Sequence, residues 1–132
     1  QLADMAGVVQ TERLDGIIAT NSTLDRPDTL RSLGAAEAGG LTGRPLRERS
    51  TRIVRDLRAA LGPGPVIIGV GGVDDPTSAF EKLRAGADLV QVYTGFVYEG
   101  PGLAGRLVRG LGEQLALHGC LTLAQLRGAV GV

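Results

Sequence analysis

Three short stretches concentrate the groups able to hold a small molecule: Thr20-Asn21-Ser22-Thr23, Gly69-Val70-Gly71-Gly72-Val73 and Tyr93-Thr94-Gly95. The amide of Asn21 both donates and accepts, which suits a planar pyrimidine or a carboxylate, and Ser22 adds a hydroxyl. Asn and Ser are also ordinary turn formers, and taken alone this pair fits a turn better than a ligand contact. Gly71 and Gly72 lack a Cβ and let backbone N–H groups come close to a phosphate, and the helix predicted after them favours an anion at its start. A tight strand-to-helix turn would use the same glycines. The pairing of this loop with Tyr93-Thr94-Gly95 one unit later favours the phosphate reading.

These stretches follow three short apolar runs, Asp15–Thr20, Pro65–Val70 and Asp88–Tyr93. Near-continuous apolar character predicts parallel strands covered on both faces. A helical pattern precedes each run. Ala3–Arg13 is the weakest. Ile53, Val54, Leu57, Ala60 and Leu61 form a clear stripe in the second, and Ala79, Phe80, Leu83 and Ala87 in the third. Gly62 and Gly86 supply stop signals, while Asp75-Pro76 supplies a cap and a first-turn proline. Ser50 or Thr51 is expected to cap the second helix. A last helix carries Leu103, Leu107, Val108, Leu111 and Leu115 on one face, ending near Gly119, and 121–130 is compatible with one more short turn or helix. The order α-β-α-β-α-β-α implies a parallel sheet with right-handed crossovers and a ligand at the carboxyl ends of the strands. Between Asn21 and Ser50 lies a long connection containing Gly39-Gly40-Leu41-Thr42-Gly43, the kind of loop that usually serves function.

Composition narrows the classes. The 132 residues are 43% hydrophobic, enough for a packed core, and their 14 basic and 14 acidic side chains cancel. A nucleic-acid binder or a basic membrane patch is a poor fit to that balance. The one cysteine, Cys120, excludes an internal disulfide framework and a cysteine-only metal site. His118 and Cys120 stand without partners at ligand spacing and read as packing or surface residues, so no metal is expected. Arg47 and Arg49 read as a solvated charged stretch. Lys82 is the only lysine among the 14 basic residues, which reads as composition bias. The first residue is Gln1 and nothing near it reads as a signal peptide, as in a processed, cut or incomplete chain.

Four motifs in order carry a resemblance over nearly the whole chain. Asp15-Gly-Ile-Ile-Ala-Thr-Asn-Ser-Thr23, Gly39-Gly-Leu-Thr-Gly-Arg-Pro-Leu46, Ile67-Ile-Gly-Val-Gly-Gly-Val73 and Ala85-Gly-Ala-Asp-Leu-Val-Gln-Val-Tyr-Thr-Gly-Phe96 resemble the C-terminal part of dihydroorotate dehydrogenase. Gly43-Arg-Pro-Leu46 followed by Ser50-Thr51, with Gly100-Pro101 after Tyr-Thr-Gly-Phe, resembles its quinone-dependent class, class 2. The family more often has Thr at Ser22 and Ser at Thr42; both exchanges keep a hydroxyl.

The resemblance implies an α/β fold, the C-terminal portion (about three βα units) of a (β/α)8 or TIM barrel, with residues 1–132 forming one stretch without internal boundary. It implies FMN as cofactor, with Thr20, Gly43, Gly71, Gly72, Tyr93 and Thr94 around it, and Asn21 and Ser22 on the dihydroorotate ring and carboxylate. The implied reaction is oxidation of dihydroorotate to orotate in pyrimidine synthesis, with a membrane quinone as electron acceptor. It further implies peripheral attachment to the cytoplasmic side of the inner membrane and no nucleic-acid partner. The family's catalytic serine base, its flavin-facing lysine, several substrate asparagines and its membrane-docking helical hairpin belong to an N-terminal half to which no segment here corresponds. No catalytic residue is therefore expected in this chain, and the chain alone is expected to be inactive. Two alternatives stand beside this reading. One is another flavin- or phosphate-binding barrel, such as a dihydropyrimidine or nucleotide dehydrogenase; the iron–sulfur cysteine set that would favour the former is not found in this sequence. The other is a fragment without enzymatic function.

Overall fold

A computed structural model describes residues 1–28, 30–31 and 33–128. Helix α1 (Leu2–Thr11) leads into strand β1 (Gly16–Ala19). The long connection that follows contains two single 3-10 turns, Leu33–Ala36 and Arg44–Leu46. Then come α2 (Arg47–Leu61), β2 (Val66–Val70), α3 (Pro76–Arg84), β3 (Leu89–Gln91), a short α4 (Thr94–Glu99), α5 (Leu103–Leu117) and α6 (Leu123–Gly128). The alternation read from the sequence is present, with α4 as an unexpected addition between β3 and α5. Residues 129 and 130 of the expected last turn lie outside the described residues.

The sheet order is β1-β2-β3 and every pairing is parallel, with Ile17 opposite Ile67 and Ile68 opposite Leu89. Helices cover one face of the sheet. Ala6 and Val9 of α1 and Val54, Leu57 and Leu61 of α2 pack on Ala19, Ile67 and Ala87. Val73, Ala79, Leu103 and Leu107 form a second cluster against Val90. Phe80, Leu83 and Leu126 form a third, beneath α6.

The expectation that both strand faces are covered is corrected. Ile18 is 60% exposed and Leu89 55%, while Ile67 next to them in the sheet is fully buried. Alternate side chains of a strand point to opposite faces, and only the helix-covered face is shut here. The opposite face of a barrel strand is shut by the other strands across the barrel. Two smaller corrections concern the helices. Val108 lies off the buried stripe of α5 and is 70% exposed; Ala60 of α2 is likewise exposed. Helix α2 begins at Arg47, so Ser50 and Thr51 sit inside its first turns instead of capping it.

The predicted signals of α3 are all used. Asp75 caps it by accepting from the Ser78 amide, and Ser78 returns the bond in a capping box, with Pro76 at the first helical position. At the amino ends of the strands, Arg58 of α2 donates to the carbonyls of Gly62 (2.7 Å), Pro65 (3.0 Å) and Gly86 (2.9 Å) and to the Asp88 carboxylate (2.5 Å). One guanidinium thus joins a helix end to the entries of β2 and β3. His118 packs its ring on Phe80 with centroids 4.8 Å apart, which agrees with a packing role.

Candidate functional site

The carboxyl ends of the three strands open on one cavity of about 500 Å3. Its wall includes Thr20, Asn21 and Ser22 after β1, Gly43 from the long connection, Gly71 and Gly72 after β2, and Tyr93 and Thr94 after β3. Every site residue expected from the sequence therefore faces one space. The parallel register brings this about: Ile18 pairs with Ile68 and Ile68 with Leu89, so the three chain ends leave the sheet side by side.

The glycines are required by geometry. Gly72 has φ +72°, and a Cβ there would stand 2.5 Å from the Cα of Arg47. Gly43 has φ +83°, and its Cβ would meet Thr94 Cγ2 at 3.0 Å. Both are left-handed conformations that side chains disfavour. The result is backbone without a Cβ on two sides of the cavity, packed against α2 at Gly72 and against Thr94 at Gly43.

Hydrogen bonds set the loops. Thr94 Oγ1 donates to Thr42 Oγ1 at 2.9 Å, joining the β3 exit to the Gly39–Gly43 segment. Ser50 Oγ donates to the Gly71 carbonyl at 2.8 Å. Thr23 and Leu41 form an antiparallel bridge, which pins the start of the long connection to its glycine-rich end. Arg26 donates to the carbonyls of Glu37 (3.1 Å) and Gly39 (2.7 Å), and Arg49 to Thr23 Oγ1 (2.9 Å) and to the Asp25 carboxylate. The connection is thus a laced structure and not a free loop.

The charges beside the cavity are engaged by carboxylates. Arg44 pairs with Asp74. Arg47 makes two bonds of 2.8 Å to Glu81 and lies 3.9 Å from Asp75. The reading of Arg47 as merely solvated is corrected: it is half-buried and ties α2 to α3. Among the described residues, the lining contains no carboxylate and no histidine. It offers amides, hydroxyls and backbone, which suits binding and orientation more than proton transfer. Among the described residues no group of histidine, cysteine and acidic side chains could hold a metal.

Four contributors escaped the sequence reading. Thr42 and Gln91 line the cavity. Ser50 is fully buried and bonded to Gly71, and Lys82 is fully buried behind it. No periodicity marks these; the only available signal was that a single lysine stood in an arginine-rich chain.

A parallel sheet with helices on one face and a ligand cavity at its carboxyl ends is the architecture of a segment of a (β/α)8 barrel enzyme. Comparison with known proteins makes this specific. The family model for dihydroorotate dehydrogenase matches residues 1–115. The dihydroorotate dehydrogenase (quinone) of Mesorhizobium japonicum is 48% identical over 127 residues, covering 96% of this chain and 35% of that protein. That of Brucella ovis is 45% identical over the same coverage. The crystal structure of the dihydroorotate dehydrogenase of Eimeria tenella in complex with ferulenol superposes with a TM-score of 0.94 at 38% identity, covering 98% of this chain and 34% of that one. A ligand-free structure of the same protein gives 0.89 at 39% identity, with coverages of 92% and 34%. The chain belongs to the dihydroorotate dehydrogenase family, and it spans about a third (35%) of the length of the curated relatives it matches.

Proposed function

We propose that this chain forms one wall of the FMN and substrate site of a quinone-dependent dihydroorotate dehydrogenase, an oxidoreductase of pyrimidine synthesis. The observation that carries the reading is the convergence of Thr20, Asn21, Ser22, Gly43, Gly71, Gly72, Tyr93 and Thr94 on one cavity of about 500 Å3. FMN fits this wall. Gly72 and Gly43 line the cavity with backbone that carries no Cβ, which is what close approach to a phosphate needs. In this reading Gly71 and Gly72 hold the phosphate from the β2 side, and Tyr93 and Thr94 from the β3 side. Thr20 and Gly43 border the flavin. When bound, the flavin supplies the hydride acceptor.

Asn21 and Ser22 orient the dihydroorotate ring and its carboxylate. The Asn21 side chain accepts from the Ser22 amide at 2.8 Å, and that bond fixes the direction of its remaining groups. The base that takes the proton is, in this reading, the family's serine, which lies outside this wall. The quinone acceptor and a peripheral attachment to the inner membrane are part of the same proposal. Among the described residues no helix is long and apolar enough to cross a membrane.

The test uses the longest natural polypeptide that carries this sequence. Purified protein should hold FMN, and dihydroorotate should bleach its flavin band in the absence of oxygen. Asn21→Ala should lower kcat/KM for dihydroorotate about 10- to 100-fold, the cost of one or two lost bonds to a charged ligand, with flavin content unchanged. A protein that binds FMN but is not reduced by dihydroorotate would instead support another flavin barrel.

A further inference from the structure

Lys82, on α3, is the largest fully buried side chain among the described residues. Its stem lies against β2, where a Cβ on Gly69 would come within 3.3 Å of Lys82 Cδ. Its ammonium donates to the Arg47 carbonyl at 3.1 Å and to Thr51 Oγ1 at 2.5 Å. Among the described residues no carboxylate forms an ion pair with it; Glu81, its neighbour in sequence, is turned to Arg47. Burial pushes the Lys82 ammonium down to about 8, with Arg47 also lowering it and Glu81 opposing. A buried ammonium without a carboxylate partner carries a desolvation cost that an apolar side chain of similar length does not.

The groups it touches belong to the turn that backs the anion cradle. Arg47 O accepts from Thr51 Oγ1 at 2.7 Å, and Thr51 Oγ1 accepts from Lys82 in turn. The Ser50 hydroxyl, with one proton to give, lies 3.2 Å from Arg47 O and 2.8 Å from Gly71 O. The backbone of Arg47 is the surface against which Gly72 is pressed. The ammonium thus holds Arg47 O and Thr51, and Ser50 of the same helical turn holds the Gly71 carbonyl, so the first turn of α2 links Lys82 to the Gly71–Gly72 backbone.

We propose that Lys82 is a positioning residue for the phosphate cradle: it fixes the first turn of α2 against Gly71–Gly72 and thereby sets the preference of the site for a phosphorylated ligand. This rests on the reading that the Gly71–Gly72 loop receives the FMN phosphate. Lys82 touches neither ligand nor reacting atoms; its effect passes through backbone that does.

The experiment compares FMN with riboflavin, which lacks the phosphate, on flavin-stripped samples of the longest natural polypeptide carrying this sequence. Flavin fluorescence quenching gives both affinities for the unaltered protein, Lys82→Met and Ser50→Ala. Lys82→Met should reduce the FMN-over-riboflavin preference about tenfold, equivalent to 1.4 kcal/mol, while riboflavin affinity stays within about twofold. Ser50→Ala, which cuts the same link at its far end, should reduce the preference in the same direction. Equal losses for both flavins, or a preference unchanged in folded Lys82→Met, would overturn the proposal. If Lys82→Met fails to fold, Ser50→Ala decides alone, and an unchanged preference in it is fatal. An unaltered protein that binds FMN no better than riboflavin would sink the phosphate-site reading itself, and the role of Lys82 with it.

Discussion

Gly72 shows how a single residue couples the chain trace to the site. Its φ of +72° and its contact with Arg47 leave no space for a side chain, so the loop after β2 closes on bare backbone. Gly72→Ala should lower FMN affinity at least tenfold, by about 1 kcal/mol of backbone strain together with the displacement of α2. Flavin titration checks this, and retained affinity would mean the loop does not contact the ligand. Lys82 gives a second prediction at this scale. Its folded-state value of about 8 lies below the ordinary 10.5. Between those values the unfolded chain holds a proton that the native chain has released, so stability rises with pH across that window. Below about 8 both states are protonated and the burial penalty is fully present. Denaturant unfolding of the unaltered protein, minus that of Lys82→Met, should show this rise between about pH 8 and 10.5; a flat difference would contradict it.

Element α3 carries its own start signal, and that signal is also an acid-sensitive contact. Burial of Asp75 works to raise its carboxyl, but hydrogen bonds from Ser78, with Arg47 and Arg44 nearby, hold it below the ordinary 3.8. A depressed carboxyl stabilises the fold above its unfolded value, and that contribution is lost as pH falls below about 3.8. Asp75→Ala should cost about 1 kcal/mol at neutral pH, as loss of a helix cap does, and should flatten the acid limb of the unfolding curve. If the acid limb of Asp75→Ala matched that of the unaltered protein, the cap would not be the titrating contact. Helix α2 plays the complementary part. Its Arg58 end fixes the strand entries and its Arg47 end backs the cradle, so one helix joins the structural end of the sheet to the ligand end.

At the scale of the whole molecule, the sheet is covered on one side only. Ile18, Val66 and Leu89 on its other face are each at least 40% exposed. A complete (β/α)8 barrel takes ~250 residues and shuts this face from within. The 132-residue chain produced alone should therefore aggregate or associate through that face, and should not oxidise dihydroorotate. Sedimentation and thermal melting of the purified chain check this; a cooperatively melting monomer that binds FMN tightly would show that three βα units suffice.

What the sequence determined by itself was local. Apolar runs of strand length, the stripe on α2, the Asp75-Pro76 start and the glycine stops specify the alternation of elements. Parallel α/β order then dictates that Thr20–Ser22, Gly71–Gly72 and Tyr93–Thr94 share the carboxyl edge. Glycine-rich spacing made the cradle legible because only backbone bare of Cβ performs that task. What only the tertiary structure decided were relations between side chains far apart in the chain. The Thr94–Thr42 bond spans 52 residues and the Lys82–Arg47 bond 35. Neither leaves a periodic trace, since a hydroxyl or an ammonium at one position carries no mark of the partner it will meet. The apolar strand runs, likewise, announced burial on both faces, yet which face is closed depends on what packs across the sheet. For the same reason Lys82 looked like an accident of composition, while its position places a buried cation behind the Gly71–Gly72 loop.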